Sequence, residues 1–119
     1  MKRELYLPHG DFIRFAESVI ECHDNRCVVD ASFPSTPTLP MMIEAAAQCS
    51  AAFATQKHQD GYLVALKGIT LHQKASSNSL RYVLTLEHQM GELAYFDFEA
   101  FEDDTTIVTG TLVISFIVN

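Results

Sequence analysis

The sequence predicts an α+β fold, in which one long central helix is wrapped by a curved antiparallel sheet of five or six strands. Three observations predict it. A proline cluster, Phe33-Pro34-Ser35-Thr36-Pro37-Thr38-Leu39-Pro40, leads into an alanine- and methionine-rich run from Met41 to Gln56. The second half of the chain is rich in β-branched, aromatic and alternating apolar residues. Short polar turns separate these segments, and short turns demand antiparallel pairing. The 119 residues form a single domain, 1–119, with no repeat, low-complexity tract or linker.

Phe12 to Cys22 and Cys27 to Phe33 read as two strands of a hairpin, joined by the polar turn His23-Asp24-Asn25-Arg26. The proline cluster is extended, because each proline fixes its own φ and bars the residue before it from the helical region. Thr38 or Leu39 opens the helix, with Pro40 in the first turn, where its missing N–H costs nothing. From Met41 to Gln56 no glycine or proline interrupts, and the segment is apolar nearly all round, which predicts a buried helix. Strands follow over Tyr62 to Leu71, Leu80 to His88, Leu93 to Phe101 and Thr105 to Val118. In the second of these, Leu80, Tyr82, Leu84 and Leu86 share one face and Arg81, Val83, Thr85 and Glu87 the other. Met90-Gly91 and the acidic Glu102-Asp103-Asp104 are turns, and Gly110 marks a bulge or bend.

Composition excludes several classes of function. Eight Lys and Arg oppose fifteen Asp and Glu, a net charge of −7. An acidic chain without a concentrated basic face is a poor match for nucleic acid. No segment approaches the roughly 18 consecutive apolar residues of a membrane span. Met1 to Pro8 has no apolar core of a secretory signal, so a cytoplasmic protein is expected, with its three cysteines, Cys22, Cys27 and Cys49, as free thiols. No glycine-rich phosphate loop, nucleotide fingerprint or metal-ligand spacing is present, so neither cofactor nor metal is expected.

Leu7-Pro8-His9, then an apolar strand, then Phe33-Pro34 with Pro37 and Pro40, then Glu44-Ala45-Ala46-Ala47-Gln48, form a recognisable series. It resembles the hot-dog-fold β-hydroxyacyl-acyl-carrier-protein dehydratases, over almost the whole chain. The resemblance implies a homodimer or higher oligomer with active sites at the subunit interface. It also implies an acyl carrier protein or coenzyme A thioester as substrate, and a place in fatty acid biosynthesis. In such enzymes a histidine removes the α-proton of a 3-hydroxyacyl thioester, and a helix carboxyl protonates the departing hydroxyl. Backbone N–H groups at the helix start bind the thioester carbonyl. The chain departs from the pattern. Ser32 stands before Phe33-Pro34 where the family has its histidine, and anchoring on Glu44 instead places that position on Asp30.

Glu44 is the expected acid–base residue. Burial on an apolar helix would raise its pKa toward neutrality; the plainer alternative is a solvated acid complementing the helix dipole. Gln48, one turn on, would orient it. Asp30 and Ser32 are the candidates for the missing base, each with an ordinary surface role as the alternative. Pro40, Met41, Met42 and Gln48 would line the substrate site. Lys57, Lys67, Lys74 and Arg81 are the charges available to dock an acidic carrier, unless they are dispersed. Three activities fit: dehydration; thioester hydrolysis by Glu44 alone; and a non-catalytic, acyl-binding role beside a competent dehydratase-like subunit.

Overall fold

The computed structural model describes residues 3–4, 14–54 and 59–118, with side chains over 14–54 and 61–117. Strand β1 (Arg3–Glu4) is a short addition to β2 (Ala16–His23), which forms a hairpin with β3 (Arg26–Ser32). Helix α1 (Leu39–Cys49) follows, continued by a 3-10 turn over Ser50–Phe53. The remaining strands are β4 (Gln59–Leu71), β5 (Ser79–Met90), β6 (Leu93–Glu102) and β7 (Thr105–Val118). All pair antiparallel in one sheet, in the order β1-β2-β3-β5-β6-β7-β4. Among the described residues one α-helix is laid on one sheet, and the α+β architecture is as expected. Leu7-Pro8-His9 lies outside the described residues.

The helix begins where the prolines direct it. Thr38 is the N-cap in extended conformation, and Pro40 sits in the first turn. The helix stops earlier than the expected Gln56. The buried Ser50 hydroxyl donates to the Ala47 carbonyl at 2.6 Å, and the chain tightens into the 3-10 turn. The all-round burial expected for the helix is also corrected. Met42, Ala45, Ala46 and Cys49 are buried, whereas Pro40 and Glu44 are exposed. The small side chains on the buried stripe bring the helix close to the sheet. Opposite them, Leu80, Tyr82 and Leu84 of β5, Phe96 and Phe98 of β6, and Leu112 and Ile114 of β7 fill the core. The alternation expected in β5 is the observed one. Tyr82 is fully buried, and its hydroxyl donates to the Met42 carbonyl at 2.7 Å, fastening the helix to the centre of the sheet. Burial pushes the Tyr82 phenol up, and it pushes the Cys49 thiol up likewise.

Two turns and one pair of cysteines differ from expectation. The β5–β6 turn is Gly91-Glu92, with Gly91 at φ 61°, one residue on from Met90-Gly91. Gly110 does not itself bulge. The irregularity lies opposite it in β4, between Lys67 and Thr70, and a Cβ on Gly110 would collide with Ile69 and Phe98. Cys22 and Cys27 form a disulfide, which corrects the expectation of free thiols. Asp24-Asn25 turns the hairpin, with Asp24 at φ 52°, and the pair next to it is His23 with Arg26. The following cross-strand pair in a two-residue hairpin lacks mutual hydrogen bonds, and such pairs bring Cα atoms closest. Cys22 faces Cys27 there, at 4.1 Å between Cα atoms. Cys49 remains a free, buried thiol.

Candidate active site

Glu44 stands in the second turn of α1, on the stripe the sheet does not cover. Its own chain leaves it exposed, so the burial expected of it is not provided within one chain. No acidic residue occupies the first turn, and Thr38 makes no side-chain cap, so neither competes for the N–H groups there.

Gln48, one turn on, holds Glu44. Its Nε2 donates to Glu44 Oε2 at 3.2 Å. Its Oε1 accepts two successive backbone N–H groups, from Phe15 at 2.7 Å and Ala16 at 3.0 Å. Those two donors assign the amide: the oxygen must face them, so the nitrogen must face the carboxylate. The entry to β2 thus fixes a donor against Glu44, a contact 32 and 33 residues distant in sequence. The other residues expected at a substrate site divide. Pro40 is exposed and Met41 half-buried beside Glu44, whereas Met42 points into the core.

Asp30 and Ser32 lie elsewhere in the same chain. The period of two along β3 turns Val29 and Ala31 to the helix and Asp30 and Ser32 to the opposite face of the sheet. Asp30 faces Arg81 across the β3–β5 ladder and accepts from its Nε at 2.8 Å and its Nη2 at 3.1 Å. That bidentate hydrogen bond and the carboxylate charge raise the Arg81 pKa above its ordinary value. Ser32 donates from Oγ to Glu17 Oε1 at 2.8 Å, and its N–H donates to the Phe15 carbonyl at 2.9 Å. A cleft of about 450 Å³ opens on this face, bordered by Glu17, Asp30, Ser32 and Arg81. No local motif marks Glu17 in the sequence; the register of β2 on β3 brings it to Ser32.

The described histidines are engaged away from Glu44. His72 Nε2 is 2.8 Å from Thr109 Oγ1, His88 packs on Tyr95, and His23 stands at the hairpin end opposite Arg26. No cluster of three metal-ligating side chains occurs among the described residues, and no described helix is long and apolar enough to cross a membrane. The candidate docking cations have separate settings. Lys67 lies over the Tyr95 ring, Arg81 is bound by Asp30, Lys74 is in the loop before β5, and Lys57 lies outside the described residues.

No family model matches the sequence, and no curated protein sequence does either. Solved structures do match. A dehydratase heterocomplex, ApeI:P from Xenorhabdus doucetiae, is 21% identical, covers 92% of this chain and 87% of its own, and superposes with a TM-score of 0.74. A hypothetical thioesterase of Streptococcus pneumoniae, solved with coenzyme A, is 12% identical, with 85% of each chain covered and a TM-score of 0.67. A sigma28-regulated virulence protein of Campylobacter jejuni is 10% identical, covers 94% and 91%, and has a TM-score of 0.73. The chain has the hot-dog fold, which it shares with this dehydratase complex and this hypothetical thioesterase.

Proposed function

We propose that this chain acts on acyl thioesters and removes water from a 3-hydroxyacyl group, with Glu44 as the acid that protonates the departing hydroxyl. One observation carries the reading. On the stripe of the helix that the sheet does not cover, Glu44 points outward and is held by an amide whose orientation two backbone N–H groups fix. The first-turn N–H groups, free of a side-chain cap, would polarise the thioester carbonyl. Pro40 and Met41 would border the acyl group. Its carrier is an acyl carrier protein or coenzyme A, which the fold similarity to dehydratases and thioesterases supports.

Glu44 reaches a desolvated setting only when a second chain covers it. The β4 edge is suited to receive one: Tyr62, Leu63, Val64 and Leu66 are exposed along a terminal strand that pairs with β7 on its inner side. A second copy of this chain, β4 against β4, is the partner we assign to that edge. A dehydratase-like second subunit is the alternative, and the neighbour that is a heterocomplex supports it.

A second reading, thioester hydrolysis, is favoured by one observation: Gln48 donates to Glu44, and a donor complements an ionised carboxylate that activates water. Purified protein incubated with 3-hydroxyacyl and saturated acyl thioesters separates the two. Enoyl product that disappears in Glu44→Gln supports dehydration. Thiol release without enoyl product supports hydrolysis. Neither product from the oligomeric protein at high concentration would defeat both.

A further inference from the structure

The two cysteines of the Cys22–Cys27 disulfide have different surroundings. Cys27, on β3, is 3% exposed and packs within the main core. Cys22, on β2, is exposed. A directly opposed cross-strand pair shares one face of the sheet, so the difference comes from the strand each stands on. β3 is flanked by β2 and β5, whereas among the described residues β1 meets β2 only at Ser18 and Val19.

The two strands are also held unequally. β3 pairs with β5 without interruption from Arg26 to Ser32. The turn is clamped to β5 as well. The Leu86 N–H donates to the Asn25 carbonyl at 2.7 Å, and Asn25 Nδ2 donates to the Leu86 carbonyl at 3.1 Å. β2 is broken by two register shifts against β3, one of them between Val19 and Glu21. Glu21 to His23 therefore rest on β3, with the disulfide as their covalent tie. Opening the bond frees the end of β2 and leaves Cys27 seated in the core.

We propose that the Cys22–Cys27 bond is a thiol-exchange site, entered at Cys22, for a low-molecular-weight thiol such as glutathione. Exchange requires the attacking thiolate to reach a sulfur, and Cys22 is the exposed partner. The thiolate attacks Cys22 Sγ and forms a mixed disulfide there. The electron pair of the broken S–S bond passes to Cys27 Sγ, which takes a proton and remains as a buried thiol. A return attack by Cys27 expels the small thiol and closes the bond again, so the cycle needs no oxidant. A second small thiol instead releases Cys22 as a free thiol and leaves as its own disulfide. The modification unlatches the end of β2, while β3 and the turn stay on β5.

The test exposes the folded protein briefly to reduced glutathione, quenches with acid and maps the adduct by mass. Tryptic cleavage after Arg26 puts Cys22 and Cys27 on separate peptides. The adduct is expected on Cys22 over Cys27 by about tenfold or more. Oxidised glutathione should give the same order in the single variants. Cys22 in Cys27→Ser takes the adduct at least ~tenfold faster than Cys27 does in Cys22→Ser. Cys49, free and buried, takes none. Should a variant misfold, the mapping of the parent decides by itself. In the thiolated parent the Leu86 amide keeps its protection from exchange, because its acceptor in Asn25 is held apart from the bond. An adduct shared evenly or favouring Cys27, or a Leu86 amide that loses its protection, overturns the proposal. So does a parent whose Cys22 and Cys27 stay free thiols in oxidised glutathione.

Discussion

The two edges of the sheet are built on opposite plans. At one, the two-residue β1 covers part of β2, and β2 itself is interrupted by two register shifts, ends in Glu21 and His23, and is closed onto β3 by the Cys22–Cys27 bond. At the other, β4 runs for 13 residues and leaves Tyr62 40%, Leu63 38%, Val64 54% and Leu66 42% exposed. Bulges, charges and a short covering strand blunt an edge against pairing, and a long apolar edge invites it. The first edge is finished within one chain. The second is the edge to which we assign the proposed partner chain, which in that reading also covers Glu44.

The largest expected effect therefore lies at β4. Val64→Lys with Leu66→Lys should weaken self-association by on the order of a hundredfold, roughly 2.7 kcal/mol. Sedimentation across a concentration series reads it. Turnover should fall in step, because Glu44 is exposed in the lone chain. Glu21→Lys at the opposite edge should leave association where it was. An unchanged oligomer in the β4 variant would mean that the contact is made elsewhere.

What the sequence makes legible follows from how far apart the interacting residues are. Local patterns suffice for the helix start at Thr38 and for the inward face of β5 through Leu80, Tyr82 and Leu84. They also suffice for Gln48 beside Glu44, four residues away. Register does not show in local patterns. Asp30 reads as an available carboxylate until the β3–β5 ladder sets Arg81, 51 residues on, across from it. Glu17 reads as an ordinary strand residue until Ser32, 15 residues on, reaches its carboxylate. Glu44 reads as buried because its helix is apolar, and the missing quantity is which stripe of that helix the sheet covers. The cysteines read as free because a reducing compartment is expected, and the register that sets Cys22 opposite Cys27 across a two-residue turn is a property of the folded hairpin.

The closed edge yields the next effect in size. Closing so short a loop limits the unfolded chain modestly, so Cys22→Ser with Cys27→Ser should cost about 2 kcal/mol. A melting curve with and without reductant should show the same loss in the parent and none in the variant. Association through β4 should be untouched. Cys49 should resist alkylation throughout, because burial holds its thiol protonated. A parent whose melting ignores reductant would show that the hairpin is held by its ladder alone, and would return Cys22 and Cys27 to the free thiols expected of a reducing compartment.

The smallest effect concerns how the open edge is tied to the rest of the sheet. The loop from β4 to β5 is fastened by Glu102, which reads in sequence as part of a solvated acidic turn. Its carboxylate accepts from Ser76 Oγ at 2.5 Å, Ser76 N–H at 2.7 Å and Ser77 N–H at 2.8 Å. These bonds, the Ser76 hydroxyl first, hold its pKa below the ordinary carboxylate value. A carboxyl depressed in the folded state adds stability that is complete above the pKa of the unfolded chain. That stability is lost as pH falls from there through the folded value. Glu102→Gln should therefore melt slightly below the parent at neutral pH, and the two curves should converge as the solution is acidified below about pH 4.3. Protection of the Ser76 and Ser77 amides, taken relative to their intrinsic exchange at each pH, should fall in the parent over the same range, because their acceptor is the group being protonated. A gap between parent and variant that stays constant from neutral to acid pH would show that the loop is held by packing, and that the open edge needs no polar fastening to stay in register.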